Sequence, residues 1–200
     1  MARRYILSFT AGGLLYHETI VIAETLLHAG FDWKATTERV VDENLLQSRT
    51  ASTTDRKLRE VGKRLEELTS DQIRLLVSGS RIDQSLLIWL ACCLRYELLG
   101  DFAKEILRSK YLQRDLCVNS VDIEKFFESK TLWHEELEDL TATTKTKLQT
   151  VLFRMLRESG LITGEGLIEP PIMSRELSDA LRSDSPERFD YFPMAAPERR

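Results

Sequence analysis

The stretch TTKTKLQTVLFRMLRESGLITGEGLIEPP, from Thr143 to Pro171, decides the fold. Leu148, Val151, Leu152, Met155 and Leu156 recur at spacings of three and four, which puts them on one stripe of a helix, and Gly160 provides its stop. Beyond it, Leu161-Ile162 and Leu167-Ile168 flank the turn Gly164-Glu165-Gly166 ahead of Pro170-Pro171, the pattern of a small β-hairpin. A helix followed by an apolar hairpin is the layout of a winged helix, so the stretch predicts a winged-helix-like unit in an otherwise all-α protein.

Upstream, Asn119 or Ser120 caps a helix carrying Val121, Ile123, Phe126 and Phe127. A further segment, Leu132 to Leu140, puts Trp133, Leu137 and Leu140 on one face, and the polar run Thr141 to Thr144 links it to the decisive helix. The N-terminal half reads as helices throughout. One runs from Gly13 to His28 and a second from the Asp32 cap to Gln47; a strongly amphipathic third starts near Thr53 and carries Leu58, Val61, Leu65 and Leu68. A short helix spans Asp71 to Val77, an apolar and hence central one runs from Asp83 to Leu99, and another starts at Asp101. Tyr111 to Asn119 is a connection, which divides the chain into a helical domain, 1–115, and a winged-helix-like domain, 116–183. Residues 184–200, rich in Pro, Arg and Glu, read as a flexible tail.

Shifting the chain by 90 positions superposes Thr53 on Thr143, Thr54 on Thr144, Lys57 on Lys147, Leu58 on Leu148, Val61 on Val151 and Arg64 on Arg154. Both copies follow a helix and a short polar turn, so each reads as the second helix of a helix-turn-helix unit. Helix-start N–H groups and Thr hydroxyls suit phosphate oxygens, and Lys and Arg neutralise backbone charge. Arg49, Thr53, Arg56, Lys57 and Lys63 are the candidate contacts of the first unit; Thr144, Lys145, Lys147 and Arg154 are those of the second. Arg64 and Arg154 have pairing with acids as their alternative. The competing reading is two ordinary amphipathic helices whose cations solvate an exposed face.

Charge confines any such site to a patch, since 28 Lys and Arg stand against 32 Asp and Glu and the pI is near 5.6. The three cysteines form no CxxC pair and no disulfide framework, which fits a reducing cytoplasm. Arg3-Arg4 ahead of an apolar run resembles a secretion signal, but Gly12-Gly13 interrupts it, and no apolar stretch reaches the ~20 residues of a membrane span.

Ser8-Phe9-Thr10-Ala11-Gly12-Gly13-Leu14-Leu15, Glu43 through Thr53, Trp133-His134-Glu135-Glu136-Leu137 and Val151 through Leu161 together resemble the BrxA family of BREX bacteriophage-exclusion systems. The resemblance extends nearly end to end, up to Asp184. It implies a small all-helical protein with helix-turn-helix elements and positive surfaces for duplex DNA, working beside a methyltransferase and other products of a phage-defence cluster. Some members carry an inner-membrane label, against which the missing apolar span argues here. The resemblance offers no catalytic residues.

Other chemistry finds little support. Gly12-Gly13 lacks the Lys-Ser or Lys-Thr of a phosphate loop and reads as a bend. His134-Glu135-Glu136 lacks the second histidine of a zinc helix, since Glu138 stands there, and His17 and His28 read as satisfied or surface histidines. Trp33, Trp89 and Trp133 read as core anchors. The sequence thus predicts a monomeric, cytoplasmic, non-enzymatic binder of double-stranded DNA without metal or cofactor. The alternative is an adaptor whose acidic surface docks the other defence proteins.

Overall fold

In the computed structural model, which describes residues 4–195, the chain is all-helical. α1 (Tyr16–His28), α2 (Trp33–Asp42), α3 (Ala51–Leu65), α4 (Ser70–Ser78) and α5 (Arg81–Arg95) follow one another through short connections. α6 (Glu97–Phe102) passes through a π-turn, Ala103–Arg108, into α7 (Ser109–Leu112). α8 (Ser120–Thr131), α9 (Glu135–Glu138), α10 (Ala142–Glu158) and α11 (Arg175–Asp184) follow, with 3-10 turns at Ser8–Ala11 and Pro186–Tyr191.

α5 is the axis of the fold. Every side chain from Ser85 to Cys93 is buried, as a helix apolar on all sides requires. α1, α3, α4, α6 and α10 pack around it. Ser80 caps it by accepting the Asp83 N–H at 3.2 Å, and Trp89 lies fully inside with its indole N–H donating to the Tyr191 carbonyl at 3.0 Å. Cys92 and Cys93 are buried fillers, and burial pushes both thiols up from their ordinary pKa.

Several expectations need correction. The first helix starts at Tyr16 because Gly13 and Leu15 both take left-handed backbone, at φ 72 and 55. No β-hairpin forms. Ile162 pairs with Ile168 in one isolated bridge, Pro170 and Pro171 have no N–H to extend it, and the outer edge turns to another segment: Val118 N–H donates to Gly166 O at 2.8 Å and Ile168 N–H to Leu116 O at 2.9 Å. Trp133 is no core anchor; it is 77% exposed, and the adjacent His134 is buried in its place. α9 starts only at Glu135, and the turn before it puts Trp133 outside the phase of Leu137.

From Asp184 the chain is not frayed, because Phe189 and Phe192 are buried against the core; residues 196–200 lie outside the described residues. α11 was not anticipated, although Ser174 caps it and Leu177 and Leu181 are buried one turn apart. Contacts cross the expected boundary at 115/116: Ser174 N–H donates to Asp83 at 3.1 Å and Tyr5 N–H to Glu136 at 2.5 Å. No helix among the described residues is long and apolar enough to cross a membrane.

Candidate nucleic-acid interface

α3 and α10 start alike. Thr50 caps α3 by accepting the Thr53 N–H at 3.3 Å, and the two hydroxyls meet at 2.9 Å. Thr141 caps α10 in the same way, accepting the Thr144 N–H at 3.2 Å with the hydroxyls 2.9 Å apart. Each cap satisfies one of the donors that a helix start leaves open. Thr50→Ala or Thr141→Ala should each cost about 1 kcal/mol, read as a lower urea midpoint at constant slope.

Counted from these caps, the two helices present matching stripes. Ser52, Arg56, Arg59 and Lys63 lie two, six, nine and thirteen residues past Thr50, and all four are exposed. Thr143, Lys147, Thr150 and Arg154 occupy the same four places past Thr141 and are exposed too. This match corresponds to a shift of 91, one more than the identity match in the sequence. One residue is ~100° around a helix, so the difference decides which side chains are truly equivalent. Lys57 sits where α10 has the buried Leu148.

That phase explains the fate of the predicted residues. Arg49, Arg56 and Lys63 are exposed, and no carboxylate among the described residues lies within 4.0 Å of them. Lys57 is half-buried and bound to Glu18 at 2.8 Å. Burial pushes the Glu18 carboxyl up, but the hydrogen bond from Lys57, one from its own backbone N–H and the Lys57 charge together hold the group below its usual value. Lys57 is therefore withdrawn from the exposed stripe. Thr53 and Thr144 are half-buried with hydroxyls engaged by the caps. Lys145 is half-buried, Lys147 is exposed, and neither has a carboxylate partner among the described residues. Arg154 keeps a loose pair with Glu158 at 3.7 Å. Ser52, Arg59, Thr143 and Thr150 complete the stripes and were missed; counting from the caps would have found them.

The α10 stripe forms one wall of an open groove of about 710 Å³, with Thr10 of the N-terminal turn on its border. Thr146 and Thr150 donate their hydroxyl hydrogens to helix carbonyls, at 3.0 and 2.8 Å. The α10 donors facing the groove are thus Thr143, Lys147 and Arg154.

Both helices anchor the same peptide groups at their C-terminal ends. Arg64, 1% exposed, donates to the carbonyls of Gly13 and Leu14 at 2.9 and 3.1 Å and to Glu60 at 3.0 Å, and lies over the Tyr96 ring. Tyr96 donates its hydroxyl to the same Glu60. From the other side, Glu158 accepts the Leu14 N–H at 2.8 Å. A Cβ on Gly13 would lie 2.8 Å from the Glu158 carboxylate and 3.0 Å from Arg154, the ends of flexible side chains that can give way, so it is the left-handed φ of 72 that favours glycine here. The bend expected at Gly12-Gly13 is this shared anchor. Among the described residues, no group of three or more His, Cys, Asp or Glu side chains could hold a metal ion.

Comparison with known proteins places this arrangement in context. The sequence matches the family described as BrxA over residues 3–185. It is 27% identical over 162 residues to the BREX protein BrxA of Bacillus cereus (strain H3081.97), covering 79% of this chain and 80% of that one. It is 26% identical to the BREX protein BrxA of Escherichia coli O9:H4 (strain HS), covering 80% of this chain and 75% of that one. The fold is similar to the crystal structure of an uncharacterized protein from Magnetospirillum magneticum, with a TM-score of 0.77, 22% identity and coverage of 94% and 97% of the two chains.

Proposed function

The chain belongs to the BrxA family, and from that premise we propose that it is a non-enzymatic component of a BREX phage-defence system that binds double-stranded DNA along the phosphate backbone. α3 and α10 serve as the second helices of two helix-turn-helix units, after α2 and α9. The turn Thr163 to Leu167 takes the place of a wing beside α10. The protein acts as a cytoplasmic monomer.

The observation that carries this reading is the pair of matched stripes: two helices, capped by the same Thr pair, each expose cations at the same distances from the cap. Phosphate contacts need outward cations and helix-start donors and no base-specific chemistry. Arg49, Arg56, Arg59 and Lys63 supply the first set; Thr143, Lys145, Lys147 and Arg154 supply the second. The acidic total charge is compatible because the stripes lie on two helices whose own carboxylates are few: Asp55, Glu60 and Glu158.

Titrating labelled duplex at two salt concentrations tests the proposal. With about four to six phosphates neutralised, affinity falls roughly 100- to 1000-fold between about 50 and 200 mM salt. Lys57→Glu, at the ion-paired position, weakens binding less than Lys147→Glu. Binding indifferent to salt, or equal losses from both variants, would refute this assignment.

A further inference from the structure

A second surface, unrelated to the cationic stripes, is the tip between α8 and α9. Leu132 and Trp133 are 78% and 77% exposed, adjacent in sequence, and project from the turn that joins the helices. An isolated exposed leucine needs no explanation, but a neighbouring indole with most of its area in water is the residue type that dominates interface energetics.

The tip is held from behind. His134 stacks on Tyr5 with ring centroids 3.7 Å apart and pairs with Glu136 at 3.0 Å, and Glu136 also accepts the Tyr5 N–H. Tyr5 donates its hydroxyl to Asp101 at 2.5 Å, and Lys130, at the end of α8, is bound to Asp101 and Glu105. Leu137 is fully buried on the far side of the turn. An apolar side chain presented by a fixed turn loses little freedom on binding, which favours a specific contact over a smeared one.

The surrounding charge limits what can cover it. Between Glu124 and Asp139 the exposed ionic side chains are Glu124, Lys125, Glu128, Glu135, Glu138 and Asp139, five acids against one base. No cation lies within 4.0 Å of any of those five carboxylates among the described residues. This local excess of acid disfavours a polyanion or an anionic lipid surface at the tip, which is thereby distinct from the cationic faces of α3 and α10.

We propose that Leu132 and Trp133 form a docking knob for a protein surface that offers an indole-sized apolar recess rimmed by Lys and Arg. Resting on the proposed BREX membership, though not on DNA binding, the inference places that partner among the proteins encoded with this one. The apolar pair supplies the affinity, and the unpaired carboxylates supply orientation and encounter rate.

The test is purification of the full chain from cells expressing the complete defence cluster, after nuclease treatment, followed by identification of cluster-encoded proteins bound to it. The wild type retains one, and Trp133→Ala weakens that contact on the order of 30-fold or more with an unchanged melting temperature. Glu135→Lys with Glu138→Lys, which leaves the indole in place, slows association and removes most of its salt dependence. Trp133→Ala binds duplex DNA like the wild type. A cluster protein held equally by Trp133→Ala, or no cluster protein held by the wild type, overturns the proposal. Sedimentation of the purified wild type as a dimer that Trp133→Ala dissociates overturns it as well, in favour of a second copy as occupant. Loss of DNA binding in the wild type would remove the duplex reading and leave the knob untouched.

Discussion

Replacing Arg64 by alanine should lower the unfolding free energy by about 3–5 kcal/mol, the range for breaking a buried ion pair from one side. The guanidinium neutralises Glu60, which is 9% exposed, and supplies the donors for the Gly13 and Leu14 carbonyls. Removing it leaves Glu60 with the Tyr96 hydroxyl but without a counter-charge and takes the side-chain donor from two carbonyls, and each buried group left so costs more than a made hydrogen bond contributes. The double substitution Glu60→Gln with Arg64→Met removes both charges and should cost less than Arg64→Ala alone, because no unpaired ion remains. Urea unfolding of the three chains measures this. A loss below about 1 kcal/mol for Arg64→Ala would show that the buried pair contributes nothing beyond its packing.

Reversing the charge at Arg56 and Lys147 together should weaken duplex binding about 100-fold at low salt and lower the salt slope by about 2, since each reversal removes one phosphate contact. The two residues lie at the same distance past the Thr50 and Thr141 caps, on exposed faces. If both helices engage one duplex, each single reversal costs about 10-fold and the two multiply. If each helix takes its own duplex, a single reversal halves the stoichiometry and leaves the remaining affinity intact. The proposed mode is the first, because both helices end on the same peptide groups, Gly13 and Leu14. A halved stoichiometry in either single variant would rule it out.

The helical elements were legible because they are written locally. Thr and Ser caps, glycine stops and the unbroken apolar run of α5 each depend only on near neighbours. The hairpin misled because apolar pairs around a turn say nothing about the third segment, 116–118, that takes the outer hydrogen bonds. Composition hid the packing after Asp184, since two phenylalanines among polar residues suffice to bind the chain down. The cationic helices were identified while some of their residues were not. Identical letters align at a shift of 90, and this pairs Lys57 with Lys147 and the buried Arg64 with the exposed Arg154. Exposure follows distance from the cap, and a one-residue slip turns a side chain by more than a quarter of a helical turn.

The fastening of Leu14 to Glu158 also bears on how the protein comes to be made. These partners lie 144 residues apart, and a ribosome adding roughly 5–20 residues per second separates their emergence by about 7–30 seconds. Throughout that interval water alone accepts from the Leu14 amide, while Arg64 can already hold the neighbouring carbonyls of Gly13 and Leu14. A chain stopped before α10 would thus hold the Gly13–Leu14 turn from the Arg64 side alone.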